Sequence, residues 1–126
     1  MSKLHEMRLS GTCTSSGALT VTGEDAVFGY LDAVDWIDGN FADGVDAVLS
    51  VTTTNTGVDV TLLTLTDANN DARYYPRALV HGETGSALTG TSGGDRTRML
   101  LNGVPKLVVA DGGDTTTGGC IIYWLE

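Results

Sequence analysis

The chain has 126 residues and a mass of 13.1 kDa, which suits one domain (residues 1–126) that buries roughly two thirds of its unfolded surface. Its 16 acidic and 7 basic residues give a formal net charge of −9. An acidic surface repels phosphate groups, so neither nucleic acid nor a membrane surface is expected as a partner. No apolar run approaches the ~18 residues that span a bilayer, and residues 1–11 lack the apolar stretch of a signal peptide. We expect a soluble product made in the cytoplasm.

The first two predicted elements are strands. In residues 4–13, His5, Met7 and Leu9 share one face, and polar side chains share the other. Residues 18–22 alternate in the same way after a short polar turn at 14–17. Two alternating segments joined by so short a loop predict a β-hairpin.

Residues 25–38 fit two interpretations. As a helix, they would carry an apolar stripe, but Gly29 would cost ~1 kcal/mol relative to alanine. As a strand, they would place four large apolar residues on one face, with only Asp32 interrupting the row: Phe28, Tyr30, Val34 and Trp36. The strand is favoured, and the helix remains an alternative.

Residues 45–53 and 58–66 predict an antiparallel pair joined by a turn. The second segment changes phase, because Val60 and Leu62 alternate in one register whereas Leu63 and Leu65 alternate in the other. Such a slip predicts either a β-bulge or a second apolar surface against the other face of the strand.

Residues 67–71 have the opening spacing of a calcium loop. However, Ala72 occupies the position that requires glycine, and Ala78 occupies that of the closing glutamate, so a structural turn is expected. A second acidic cluster is interpreted as a solvated rim: Asp35, Asp38, Asp43 and Asp46.

Residues 82–95 predict a surface loop. Residues 90–94 match GxSxG, but no helix pattern follows, as a nucleophile elbow requires. His5 and His81 stand alone, without the spacing of a zinc site. We expect no enzymatic activity, no metal and no cofactor.

Asn102 and Gly103 predict a two-residue hairpin turn between strands at 98–101 and 106–110. Pro105 is then expected at an edge or at the start of a strand. Residues 111–119 are rich in glycine and threonine and predict a flexible tip.

The C-terminal strand, residues 120–126, is apolar on both faces. One face would carry Cys120, Ile122 and Trp124, and the other Ile121, Tyr123 and Leu125. This second face has to be covered, either by the protein's own loop or by a neighbouring subunit, and the subunit is favoured. Cys13 and Cys120 are expected to be buried apolar side chains, with a disulfide between them as the alternative.

These elements predict an all-β protein: a single antiparallel β-sandwich of jelly-roll or immunoglobulin-like type with seven or eight strands. The candidate partner-interface residues lie on the outer face of the last strand and at the aromatic-proline corner of residues 74–77. They are Tyr74, Tyr75, Arg77, Ile121, Tyr123 and Leu125.

Residues 29–126 resemble a family of small tailed-phage virion proteins. The most specific part is residues 62–77, where a leucine-threonine strand runs into an asparagine-rich turn and a tyrosine-proline-arginine corner; the LVVA strand at 107–110 and the closing IIYWLE also fit.

The resemblance implies a capsid decoration (cement) protein on the surface of the virion, without enzymatic activity. It implies the major capsid protein as partner and a homo-oligomer, with a trimer favoured. A head–tail connector or tail component and a carbohydrate- or receptor-binding module are the alternatives.

Overall fold

The computed structural model describes residues 3–79 and 96–126. All regular structure in these two ranges is β, which confirms the all-β class. The strands are β1 Leu4–Thr12, β2 Leu19–Thr22, β3 Val27–Ile37, β4 Asp46–Thr53, β5 Asp59–Leu65, β6 Ala72–Tyr74, β7 Arg77–Leu79, β8 Arg96–Arg98, β9 Leu100–Ala110 and β10 Thr117–Leu125. Neither range contains a helix with the length and apolarity for crossing a membrane. The predicted loop at 82–95, its GxSxG segment and His81 lie outside the described residues.

Eight of these strands belong to one antiparallel sheet, and β7 pairs with β8 separately. The sheet divides because β3 pairs with β9 only through Val27 to Tyr30, after which β3 pairs with β6 and β9 pairs with β2. One layer therefore runs β1-β10-β3-β6 and the other β2-β9-β4-β5. This arrangement is consistent with the predicted antiparallel sandwich.

The core fills the space between the two layers. Trp36 is almost fully buried, and its indole Nε1 donates a hydrogen bond of 2.9 Å to the carbonyl oxygen of Ala68. The void left among the core side chains is about 10 Å³, the space of one water molecule. The largest fully buried side chains include Trp36, Leu9, Leu31, Leu49, Leu101, Leu107 and Ile122.

The strand interpretation of residues 25–38 is confirmed, but the predicted shared face is wrong. A register shift opposite Tyr123 and Trp124 leaves Asp32 without a partner on β10. This irregularity reverses the inward face, so that Leu31 lies in the core on one side of it and Val34 and Trp36 on the other. Phe28 and Tyr30 consequently face solvent.

The antiparallel pair β4–β5 is confirmed, and so is the bulge. Leu49 pairs with Leu63, whereas Ser50 pairs with Thr61, so Leu62 is the extra residue. Leu62 and Leu65 are buried, as are the inward residues of the neighbouring chain segment: Val45, Ala47, Leu49 and Val51.

The predicted hairpin of residues 4–22 is wrong. β1 pairs with β10 and β2 pairs with β9, so the turn at 14–17 carries the chain from one layer to the other. Gly17 has φ +82° and lies against the backbone of Gly113, which leaves no room for a side chain. The two strands are adjacent across the core, since an added Cβ on Gly11 would lie 3.0 Å from Leu19.

The predicted turn at Asn102 and Gly103 is also wrong, because β9 runs straight through it. Gly103 pairs with Val27 on one side and Thr53 on the other. A Cβ at this position would lie 1.9 Å from the carbonyl oxygen of Thr52. The glycine is therefore explained by a close approach of two backbones and not by a turn.

Pro105 lies inside β9, not at its start. Its carbonyl oxygen accepts a hydrogen bond of 2.8 Å from the amide of Gly23, on the side facing β2. The amide and carbonyl of one strand residue point to the same side of the strand. The missing N–H of Pro105 therefore lies between the part of β9 that pairs with β3, which ends at Gly103, and the part that pairs with β2, which begins at Lys106. Proline therefore removes no hydrogen bond from the pairing with β4.

The predicted flexible tip at 111–119 is hydrogen-bonded to the end of the sandwich. The amide of Gly112 donates to the carbonyl of Gly17 over 2.9 Å, and the carbonyl of Gly112 accepts from the amide of Ala42 over 2.8 Å. The hydroxyl of Thr116 donates to the same carbonyl over 2.6 Å.

Cys13 and Cys120 are both buried and both free, as expected of small apolar side chains, and no disulfide joins them. Burial raises the pKa of the Cys120 thiol to about 12, so this group stays protonated at neutral pH.

We expect Gly103→Ala to destabilise the protein by at least about 2 kcal/mol, because β9 and β4 would have to separate to admit the methyl group. Asn102→Ala, one residue away on an exposed position, is the control and should stay close to the parent. Urea unfolding of the three proteins measures the difference. Equal stability of Gly103→Ala and the parent would contradict the close approach.

Candidate interaction surface

The outer face of β10 carries three of the predicted interface residues. Ile121, Tyr123 and Leu125 are each half-buried, while the alternating Cys120, Ile122 and Trp124 lie in the core. The predicted division of this strand into two apolar faces is therefore observed.

An ion pair covers the middle of this outer face. Arg73 of β6 donates to both carboxylate oxygens of Asp35 on β3, over 2.5 and 2.7 Å. The hydroxyl of Tyr123 donates to the same carboxylate over 3.0 Å, and the Arg73 guanidinium lies 5.2 Å from the centre of the Tyr123 ring. Tyr123 is thus partly covered by its own chain, through a cation–π contact.

These contacts shift the pKa values of Asp35 and Tyr123 in opposite directions and also raise that of Arg73. The hydrogen bond from Arg73 holds the pKa of Asp35 below its ordinary value of 3.8, despite an opposing desolvation effect. The hydrogen bond to the Asp35 carboxylate raises the pKa of Tyr123 above 10.0, because the phenol proton is held by an anion. At neutral pH the cluster is a carboxylate, a guanidinium and a neutral phenol.

The other three predicted residues lie between the end of β6 and the start of β7. Tyr74 packs against the core, whereas Tyr75 is 60% exposed. Arg77 donates to the carbonyl oxygens of Asp32, over 3.0 Å, and of Pro76, over 2.8 Å. Of these three residues only Tyr75 is largely exposed.

Asp32 also holds the small β7–β8 sheet. Its carboxylate accepts a hydrogen bond of 2.9 Å from Nε of Arg98, and Nη2 of Arg77 lies 3.8 Å from the same oxygen. The irregularity that leaves Asp32 unpaired with β10 thus directs its carboxylate to two arginines.

An exposed apolar patch adjoins β10 at its C-terminal end. Leu4 pairs with Leu125, Leu125 with Tyr30, and Tyr30 with Leu100, so side chains from β1, β10, β3 and β9 form one row on one face of the sheet. Phe28 lies two residues from Tyr30 on the same face. Leu4, Phe28, Tyr30 and Leu100 are between 54 and 59% exposed. Together with Leu125, these residues form the end patch: Leu4, Phe28, Tyr30, Leu100 and Leu125.

Gly29 makes this row possible. It has φ +144°, and an added Cβ would overlap the carbonyl oxygen of Leu125. The end of β10 can therefore lie close against β3, which brings Leu125 beside Tyr30.

Sequence reasoning found Leu125 but missed the rest of the end patch. Leu4, Tyr30 and Leu100 belong to three strands that are far apart in the chain, and nothing in its own segment marks any of them as part of a shared surface. Only the cross-strand register places them together, and a single sequence carries little information about that register.

The segment 67–71 is a structural turn, as predicted, and its side chains hold the loop that follows β3. Asp71 accepts a hydrogen bond from the amide of Asp38 over 2.8 Å, and Asn69 accepts one from the amide of Gly44 over 2.7 Å. Burial, together with the nearby carboxylates of Asp71 and Asp43, raises the pKa of Asp38. In residues 3–79 and 96–126, no three His, Cys, Asp or Glu side chains are placed to hold a metal ion.

No protein-family model and no curated protein matches the chain. Among solved structures, it is similar to the VP2 subviral particle of infectious bursal disease virus, with 12% identity over 97% of this chain and a TM-score of 0.40. A structure of the Gx strain of that virus matches with 10% identity over 99% of this chain and a TM-score of 0.29. The chain spans about a third and two fifths of those chains, 32% and 41%. Both TM-scores are below 0.5, so neither match bears on the function of this chain.

Because of the Asp35–Arg73 pair, we expect the free energy of unfolding to depend on pH in the acidic range. The folded-state pKa of Asp35 is lowered, so the stabilisation is fully present above the ordinary value of 3.8 and is lost as the pH falls through the lowered value. We expect Asp35→Asn to be less stable than the parent at pH 7 and to approach the stability of the parent as the pH falls below 3.8 and through the lowered pKa.

Urea unfolding at several pH values measures this convergence. Asp25→Asn is the control, because Asp25 is exposed and has no hydrogen bond or ion pair with the described residues. A constant difference between Asp35→Asn and the parent from pH 7 to pH 2 would contradict the assignment.

Proposed function

We propose that this protein is a non-enzymatic structural component of a bacteriophage virion: a capsid decoration, or cement, protein on the surface of the head. Its partners are the major capsid protein and further copies of the same chain. The proposal joins the sequence resemblance to the surface of the sandwich.

The end patch is the observation that carries the proposal. Isolated exposed apolar residues are ordinary on protein surfaces, whereas a contiguous exposed patch marks an interaction site. Here four strands contribute to one row, and Leu125 connects that row to the outer face of β10. Such a surface suits a protein partner, because it offers aromatic and aliphatic anchors on a backbone fixed by strand pairing.

The structure also supports the mechanical part of the proposal. A cement protein acts by binding two neighbours at once and resisting their separation, so it needs a stiff body. The five residues of the end patch lie on long paired strands, and the register of β1 with β10 is unbroken over nine residues. Force applied to this face is therefore carried by hydrogen-bonded strands and not by a loop.

Charge restricts the partner. With a net charge of −9, the chain is repelled by acidic surfaces. The complementary site on the shell should therefore be apolar at its centre and neutral or basic around it. An interface of ordinary size would bury about 800 Å² on each side.

A carbohydrate- or receptor-binding module is the second candidate. The rings of Phe28 and Tyr30 are both more than half exposed, and exposed rings can stack on sugar faces. Glycan binding by the isolated protein, without binding to capsids, would favour this candidate.

Copy number separates the decoration role from that of a head–tail connector, which the same resemblance leaves open. A decoration protein is present in hundreds of copies per particle, and a connector in six or twelve by the symmetry of the portal vertex. Quantitative mass spectrometry of purified particles measures the number. The order of the oligomer, for which a trimer remains our prediction, is measured by light scattering.

We expect Leu100→Lys to reduce binding to shells that lack the protein by about tenfold or more, since a charged side chain would be desolvated in the interface. Val58→Lys is a matched control: Val58 is 57% exposed and Leu100 is 56% exposed, but Val58 directly precedes β5, two strands from β9 in the same layer, and is not part of the end patch. Cosedimentation with shells measures binding, and circular dichroism checks the fold. Equal loss in both variants, or loss in neither, would contradict a role for the end patch.

A further inference from the structure

Among the strands of residues 3–79 and 96–126, the edge strand β1 is paired on one side only. β1 pairs only with β10 among the described strands and ends the first layer of the sandwich. The other end of the eight-stranded sheet, β5, is interrupted by the bulge at Leu62, whereas β1 keeps an unbroken register from Leu4 to Thr12. A long regular edge is a template for pairing with another strand.

The hydrogen bonds show which residues of β1 face this free side. Lys3 accepts from the amide of Glu126, and Cys13 donates to the carbonyl of Thr116, so the odd-numbered residues face β10. The amides and carbonyls of the even-numbered residues therefore point away from β10: Leu4, Glu6, Arg8, Ser10 and Thr12. All five side chains are exposed.

We infer that this edge pairs with the same edge of a second copy, in an antiparallel arrangement about a two-fold axis at Met7. This axis places Glu6 opposite Arg8 of the second copy and Arg8 opposite its Glu6. Leu4 and Ser10 are paired in the same way. All of these are residues whose amides and carbonyls face the free side, so the pairing forms about eight backbone hydrogen bonds.

Charge selects this register over its neighbours. An axis at Glu6 would set that carboxylate directly against its own copy, and an axis at Arg8 would do the same with two guanidinium groups. Like charges directly opposite each other are unfavourable, and opposite charges are favourable. Among the three registers, only the axis at Met7 gives two pairs of opposite charge.

Apolar side chains lie beneath the edge in the second layer. Leu19 and Val21 of β2 are half-buried and pack against the core close to Gly11 of β1. Pairing of two β1 strands brings this side of each sandwich toward the other, so apolar contact can accompany the backbone hydrogen bonds.

Reversal of the charges tests the pairing with the purified full chain. Arg8→Glu and Glu6→Arg should each weaken association by about tenfold or more, because both symmetric pairs become like-charged. The double reversal, Glu6→Arg with Arg8→Glu, restores both opposite pairs and should restore association. Sedimentation velocity over a range of concentrations measures the mass, which in the parent should be twice that of each single variant: a dimer of 13.1-kDa chains, or a hexamer if the chain also forms the trimer proposed above.

Ser10→Pro gives an independent measurement. The amide of Ser10 points away from β10, so proline removes no hydrogen bond within the sheet but blocks the added strand. Ser10→Ala is its control and should associate like the parent. Thermal melts of all variants check that each is folded.

A parent that stays monomeric, or single reversals without effect, would overturn the inference. So would a monomeric parent in which Ser10→Pro abolishes binding to shells, since the edge would then receive a strand of the shell protein. These results concern β1 alone, so they are distinguishable from a failure of the end-patch variants to change shell binding.

Discussion

The short pairing between β3 and β9 is the constraint on which the two-layer arrangement depends. These strands share hydrogen bonds only from Val27 to Tyr30, and they then separate to pair with β6 and β2. The separation turns one sheet into two facing layers and creates the core between them. The same segment contains Gly29, which admits the end of β10, and it is followed at once by the irregularity at Asp32. Both the core and the end patch therefore depend on a few residues of β3.

Alternation in the sequence predicted the strands well but predicted their partners poorly. The faces of β4 and β10 and the bulge of β5 follow from hydrophobic period alone, because burial on one face acts residue by residue. The two predicted hairpins failed because both rested on a short loop or a dipeptide. Glycine at position 103 is required by the carbonyl of Thr52, which lies about fifty residues away in the chain. A steric requirement imposed by a residue so distant in the chain leaves no pattern in the sequence around the glycine.

The candidate surface was predictable to the same extent. Because the segment that forms β10 is apolar on both faces, the sequence alone was enough to select Ile121, Tyr123 and Leu125. The structure adds that Arg73 covers Tyr123 through the ion pair with Asp35, whereas the Leu125 end lies open beside Tyr30 and Leu4. On the outer face of β10, the chain itself covers the middle at Tyr123, whereas the end at Leu125 is left for a neighbour to cover. Sequence could not divide the strand in this way, because Arg73 and Asp35 are 38 residues apart.

The end patch and the β1 edge meet at Leu4, and this has a consequence for how the protein would bind a shell. A two-fold axis at Met7 stands normal to the sheet, so it places the outer faces of both copies on the same side. The two copies of Leu4 would then lie six strand residues apart, or about 20 Å. A dimer would present two end patches to one surface, and the second contact would form at a high effective concentration. A shell built from repeated subunits offers matching sites at fixed spacing, whereas a single soluble partner does not. Paired copies would therefore favour an assembled particle over free capsid subunits, which is the discrimination that a decoration protein requires.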